Sequence, residues 1–351
     1  MIVDGGTNIG PWKRANVRQQ IYRANLGDNF DTRQIYVNGV RAQRARGEMD
    51  PDGWILTPTG FLAPDTDVPL MKGGKHIELA GRAAWKEFRC PISDTNGRIV
   101  TMSQPCWKNA QIQPDASFSH VSWIENSCQF LKKSGQWCIE QHDHQIYYLP
   151  RVKDDIKSAV VTAGGVNTLV EFRGSLEAPV HNIILEDISF EYTGWTGPNT
   201  KEGYAPLQAG FFFTGDHSRY EDGHLERMPA AVSLIFARHI TIRRDQFTHL
   251  GGAGISVRTG SAYDDIVGCI FSDASGSGAL IGETTLAYRE ASATGPRNTV
   301  HDIGFFGNKI TNMGAEYHDN VGIFAGYVER LAIVENEIWN LPYTGISVGW
   351  G

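Results

Sequence analysis

From His181 to the last residue, apolar side chains recur on one frame: two positions two apart, a third five later, then a Gly-rich bend and a closing alternating pair. In ARHITIRRDQFTHLGGAGISVRTG the frame is filled by Ile240, Ile242, Phe247, Leu250, Ile255 and Val257. In DDIVGCIFSDASGSGALIGE it is filled by Ile266, Phe271, Ala274, Ala279 and Ile281, each 24 residues on, with Asp264 breaking the first slot. Ile303, Phe305, Ile310 and Met313 supply a third set, and Leu331, Ile333, Ile338, Leu341, Ile346 and Val348 a fourth. Upstream, Ile183, Leu185 and Phe190 match, and Val232 and Leu234 close that coil after a long interruption, which makes five coils.

Strands of period two separated by bends every few residues cannot bury an inner face alone, so each coil must lie on the last. The expectation is an all-β chain whose residues 156–351 form a right-handed parallel β-helix, a solenoid of the kind that most often handles polysaccharides. Asp245, Asn308 and Asn336 stand two before the third apolar slot in three coils. Such residues favour bends and hydrogen-bond neighbouring rungs, so their role reads as structural. Residues 1–155 lack the frame but hold alternating runs, RQIYVNGV, GRIVTMSQ and HQIYYLPR, between Gly, Asp and Pro. They read as a β-rich region packed on or inserted in the solenoid, with the joint near Asp154 to Gly165.

Three interruptions of the frame mark where chemistry is to be sought: Gly194 to Pro229, Ala315 to Asn320 and Glu283 to Asn298. Two enter and one leaves the same sheet, which predicts walls around a groove along it. Glycosidic bond cleavage needs one carboxylic acid to protonate the leaving oxygen and one carboxylate to attack or to activate water. The loop before Val321 gathers Glu316, Tyr317, His318 and Asp319, and Glu283 follows the neighbouring strand at its opposite end. Asp319 and Glu283 are the first choice as acid and base or nucleophile, with Glu316 and His318 as replacements. Tyr317, Tyr327, Tyr343 and Trp350 are candidates to stack on sugar faces. Arg258 is a candidate to bind a uronate carboxylate or serve as a lyase base, and His249, at an expected coil corner, completes the substrate-binding set.

Net charge of −7 and a sequence pI near 5.9, with Lys and Arg scattered, argue against nucleic acid as a partner. No apolar run approaches the roughly 20 residues of a membrane span, and the amino terminus lacks a basic start followed by an apolar stretch. Metal-ligand spacing, a nucleophile elbow and a phosphate loop are all absent from the sequence, so no metal or cofactor is expected; GGAGIS and SGSGAL read as bends. Of five cysteines, Cys90, Cys106, Cys128 and Cys138 lie close enough in sequence for one or two disulfides if the protein is exported, and buried free thiols are the alternative.

The strings RQIYVNGVRAQRARG, QPCW, QIYYLPR, MPAAVSL, HLGGAGISV, EYHDNVGIFAGYV and LPYTGISVGWG span nearly the whole chain. They resemble bacterial right-handed β-helix enzymes similar to glycoside hydrolase family 141, and more distantly family 120. The resemblance implies an enzyme acting on plant cell wall glycans, removing fucose or xylose units or cutting xylan, and a secreted or periplasmic location. It also places the EYHDN loop and the LPYTGISVGWG strand on the active face. Relatives begin with an export signal and earlier coils and continue past GWG, so the resemblance implies an internal fragment or a truncated reading frame here. A polysaccharide lyase acting on uronates and a non-catalytic glycan-binding solenoid remain open beside the hydrolase.

Overall fold

The computed structural model describes residues 1–16, 20–27, 30–113, 116–140, 142–219, 224–284 and 298–349. The chain forms a right-handed parallel β-helix in which each coil gives one strand to each of three parallel sheets. Sheet A holds Val180–Glu186, Ala237–Arg243, Ala262–Val267, Val300–Phe306 and Val328–Val334. Sheet B holds Ile2–Asp4, Ser189–Glu191, Gln246–Leu250, Ile270–Ala274, Lys309–Thr311 and Glu337–Trp339. Sheet C holds Val170–Arg173, Ala230–Ile235, Ala253–Val257, Ala279–Gly282, Ile323–Gly326 and Ile346–Val348, and the chain visits A, B and C in turn.

Parallel register places like residues over like. Phe190 pairs with Phe247, Phe247 with Phe271, Phe271 with Ile310 and Ile310 with Ile338. The stacked rings are 5.0 and 4.7 Å apart between centroids for the first two pairs, inside one continuous apolar core. Such offset stacking adds to the gain from removing each ring from water. Asp245, Asn308 and Asn336 form the expected rung-to-rung bonds: Asp245 accepts from Ile188 N–H at 2.7 Å, Asn308 from Cys269 N–H at 2.8 Å and Asn336 from Asn308 N–H at 2.9 Å. Asp264, in its apolar slot, is buried and accepts from Ile240 N–H at 2.8 Å; burial pushes its carboxyl up to about 8.

The bends repeat as faithfully as the strands. Between sheets A and B, Asp187, Arg244, Gly268, Gly307 and Glu335 all have φ between 57 and 64°. One left-handed residue per rung turns the chain there; Gly adopts it freely and the others at a cost of about 1 kcal/mol. A second such column ends sheet B and contains His249 at φ 58°.

Ile2–Asp4 pairs in parallel with Ser189–Glu191, so the first strand of the chain is already a rung of sheet B. The chain then departs and rejoins the solenoid at Val170–Arg173 in sheet C. The β-rich region is therefore inserted within a coil, and the division drawn at residue 155 from alternation alone does not coincide with where coils begin. Its interruption, the long one around Gly194 to Pro229 and the short one around Ala315 to Asn320 all leave the solenoid at the corner between sheets B and C, on different rungs. Of the interruption from Glu283 to Asn298, only Glu283, Thr284 and Asn298 are among the described residues, and Glu283 follows the sheet C strand at the opposite corner, between C and A.

The inserted region carries two disulfides, Cys90–Cys106 and Cys128–Cys138, while Cys269 is a buried free thiol in the solenoid. Its largest sheet is antiparallel and includes, side by side, Arg46–Glu48, Trp123–Glu125, Glu78–Ala83 and Lys86–Asn96. The long interruption folds as a hairpin, Phe211–Thr214 with His224–Arg227, over the outer face of sheet C. The Phe211 ring lies 4.9 Å from that of Phe324, and outward-pointing Leu280 and Phe324 are fully buried. The groove expected along this sheet is thus covered where these strands pack on Leu280 and Phe324, and covering those side chains removes their surface from water.

Candidate active site

Alternation along the inserted sheet separates an apolar face from a charged one. Leu79, Phe88, Cys90 and Ile124 point into the inserted region's core. On the other face, Glu78 pairs across with Glu125, Glu125 with Arg46, Ala80 with Arg89 and Arg82 with Glu87. This charged face meets the Ala315 to Asn320 loop of the solenoid. Arg33 donates through Nε to Glu316 at 2.9 Å and forks onto Glu78 at 2.8 and 3.0 Å. Arg44 bridges Glu125 at 2.9 Å and Glu316 at 2.5 Å, and Gln34 donates to Glu316 at 2.7 Å. Arg89 pairs with Glu78, Glu87 and Glu125 and donates to the Glu316 carbonyl at 2.8 Å. Buried charges persist only when paired and hydrogen-bonded in this way. Burial alone would raise the Glu316 carboxyl, but Arg44, Arg33 and Arg89 outweigh it and hold the group at about 2. Glu316 is thus held as an anion by three arginines and Gln34.

Two cavities open on this junction. One, of about 260 Å³, is lined by Arg33, Arg41, Arg44, Arg46, Arg89, Glu125, Glu316 and His318 among others. The other, of about 320 Å³, is lined by Arg82, Trp85, Lys86, Glu87, His318, Pro342 and Tyr343. His318 borders both. Its Nδ1 lies 2.6 Å from Glu87 Oε2 and 2.5 Å from Arg82 Nη2. When protonated, that nitrogen donates to the carboxylate; when not, it accepts from the guanidinium. Either way the Nδ1 edge of the ring is held and Nε2 is the atom left to face a ligand. Glu87 is kept ionised against its burial by Arg89 and His318.

The remaining sequence candidates divide between the two corners of sheet C. Asp319 belongs to the same loop but is fully buried; Tyr204 O–H donates to it at 2.8 Å, and burial, with the Glu87 charge, pushes it up to about 7. Tyr317 is also fully buried, its ring 4.7 Å from Tyr204 and 5.0 Å from Trp195, which makes it core packing and not a sugar platform. Tyr343 is exposed at the second cavity. Glu283 sits at the far corner, clamped by Arg227 at 2.6 Å and by the hydroxyl and amide of Thr259 at 3.0 and 3.2 Å. Tyr327 follows Gly326 at that same corner, and Arg258 neighbours Thr259 there. Because Ala279 pairs with Ile323 and Gly282 with Gly326, a strand length of about 13 Å separates the Glu283 end from the Asp319 end. Neither carboxylate is free to cross it, so these two do not form a catalytic pair. His249 stacks on Tyr192 at 5.0 Å and bonds Asp273 at 2.9 Å on the next rung, a ladder position at the B to C corner. Trp350 lies outside the described residues. Among the described residues no group of three or more His, Cys, Asp or Glu is arranged to hold a metal ion.

Glu78, Glu87, Glu125, Arg33, Arg44, Arg46, Arg82, Arg89 and Trp85 are absent from the sequence-derived set. The available signal was the alternation of charge with apolar residues in HIELAGRA and WKEFRC, which marks strands with one face rich in charge.

A right-handed parallel β-helix with a β region inserted over one corner, and a charged junction between them, is the class this architecture defines. A solved structure described as a glycoside hydrolase matches 100% of this chain and 65% of its own, with a TM-score of 0.83 and 26% identity. The chain therefore spans about 65% of the length of that neighbour. A second, described as a complex of XylC with xylose, aligns over 99% of this chain and 49% of its own at TM-score 0.48 and 10% identity. No protein-family profile matches the chain, and no curated protein matches it.

Proposed function

We propose that this chain is part of an exported glycoside hydrolase acting on plant cell wall glycans that carry fucose or xylose. The supporting observation is the likeness of its whole length, inserted region included, to a solved glycoside hydrolase at TM-score 0.83. Export is supported by the two disulfides, which persist in oxidising compartments. The sugar site in this reading is the pair of cavities around His318. Trp85, its indole N–H held by the Leu207 carbonyl at 3.2 Å, and Tyr343 provide flat surfaces for a sugar ring. His318 carries the proton and Glu316 supplies fixed negative charge beside the developing oxocarbenium ion. In hydrolysis the bond from the anomeric carbon to the leaving oxygen breaks, the leaving oxygen takes the proton His318 carries, and water oxygen bonds to the anomeric carbon and gives up a proton that restores the one His318 lost.

The arginine-lined cavity favours a second reading, a lyase on uronates, in which a base takes the proton beside the carboxylate and the leaving oxygen departs as a ring double bond forms. Incubation of the chain with arabinoxylan, fucosylated xyloglucan and pectic fractions separates the two. New reducing ends without ultraviolet absorbance support hydrolysis; absorbance from unsaturated ends supports the lyase. Neither product from any glycan overturns both. With the hydrolase reading, His318→Ala lowers kcat by about 10²-fold or more while Tyr343→Ala acts mainly on KM.

A further inference from the structure

The charges at the junction do not close on themselves. Arg33, Arg41, Arg44 and Arg89 each have carboxylate partners: Glu316 and Glu78 for Arg33, Asp273 for Arg41, Glu125 and Glu316 for Arg44, and Glu78, Glu87 and Glu125 for Arg89. Arg46 lines the same cavity, yet among the described residues it has no ion pair or hydrogen bond to a protein acceptor. Its cross-strand neighbour Glu125 is engaged by Arg44 and Arg89 instead. The Arg46 guanidinium lies over the Trp123 ring at 5.3 Å from its centroid, a cation–π contact that does not use its N–H donors. A second donor is also spare: Arg44 Nη1 is buried with no partner, on a side chain about 5% exposed. A buried guanidinium N–H without an acceptor is costly and calls for an anion or water to fill the place.

We infer that this cavity binds an oxyanion borne by the saccharide, a uronate carboxylate or a sulfate ester, with Arg46 as its principal cation and Arg44 Nη1 and His318 Nε2 as flanking donors. The inference rests on the reading of the junction as a saccharide site and adds to it the class of sugar. The cavity, at about 260 Å³, is of the size to admit one such residue and not a longer stretch of chain. A planar carboxylate matches the fork of a guanidinium already held over an aromatic ring. Fixed anions at Glu125 and Glu316, each held by arginines on its inner side, would repel a second anion placed deeper, so the ligand's charge is confined to the Arg46 edge.

Titration calorimetry on the 351-residue chain with glucuronate, galacturonate, xylose and inorganic sulfate tests this, beside Arg46→Gln and Arg46→Lys, with circular dichroism confirming that the variants fold. The expected result is uronate binding stronger than xylose binding, weakened by added salt. Arg46→Gln should cut uronate affinity roughly tenfold or more and Arg46→Lys should restore part of it, with a smaller loss for xylose than for uronate. Displacement of uronate by sulfate supports the oxyanion site. Arg46-dependent sulfate binding without uronate binding supports the sulfate ester as the source of the oxyanion; equal affinity for xylose and uronate, a change within about twofold on Arg46→Gln for whichever anion binds, or no binding of either anion overturns the inference. Cleavage of a neutral glycan by a chain that binds neither anion leaves the hydrolase reading standing without this inference. Arg46-dependent uronate binding with no cleavage of any glycan has the opposite result.

Discussion

Neutralising Glu316 should unpin the inserted region from the solenoid. Its carboxylate takes hydrogen bonds from Arg33 at 2.9 Å, Arg44 at 2.5 Å and Gln34 at 2.7 Å, and both arginines are at least nine-tenths buried. Glu316→Gln keeps the shape and one acceptor but leaves two guanidinium ions short of a counter-charge, a change that costs about 3–5 kcal/mol when buried pairs are broken. Proton linkage gives a separate figure. The carboxyl falls from 4.5 unfolded to about 2 folded, and at about 1.4 kcal/mol per unit this amounts to roughly 3 kcal/mol. Since the folded value is depressed, the contribution is present in full above 4.5 and is lost as pH falls through that value toward 2. Urea unfolding followed by tryptophan fluorescence, run on wild type and variant at pH 7, 5, 4 and 3, should therefore show a gap of several kcal/mol at pH 7 that closes on acidification. A gap below about 1 kcal/mol at pH 7, or one that does not change with pH, would refute the view that the arginines hold this carboxylate as an anion.

Asp264 should show the opposite pH dependence. Its carboxyl is raised from 3.8 to about 8, so the folded state binds the extra proton between those values and stability falls as pH rises across them, by up to about 1.4 kcal/mol per unit. Asp264→Asn, which keeps the acceptor for Ile240 N–H, should gain on wild type steadily from pH 4 to pH 8 in thermal unfolding; parallel curves would show that the group is ionised. Phe247→Ala removes the middle ring of the stacked column and should cost about 3–5 kcal/mol in chemical denaturation. Trp85→Ala should raise KM or Kd for a cleaved or bound glycan by about tenfold with little change in stability, and an unchanged value would remove Trp85 from the sugar site.

The solenoid was legible in the sequence because parallel stacking demands the same residue class at the same slot on every rung, and Phe190, Phe247 and Phe271 satisfy it within a single linear pattern. Asn308 and Asn336 were legible for a related reason: a polar residue at a repeated bend has a partner one coil away, at a spacing the repeat itself supplies. The loop from Glu316 to Asp319 stood out as an interruption of that frame. What its side chains touch did not, because Arg33, Glu78, Glu87 and Arg89 come from a region hundreds of residues distant along the chain and meet Glu316 only after the insertion docks. Local sequence could not show that Tyr317 and Asp319 turn into that interface while Tyr343 and His318 face a cavity. Neither could it show that Phe211–Thr214 and His224–Arg227 pack over Leu280 and Phe324 on the face expected to be a groove. Periodicity reports which side of a strand is buried, whereas the pairing of charges and the filling of surfaces depend on which distant segments share the space, and that is decided by the tertiary packing alone.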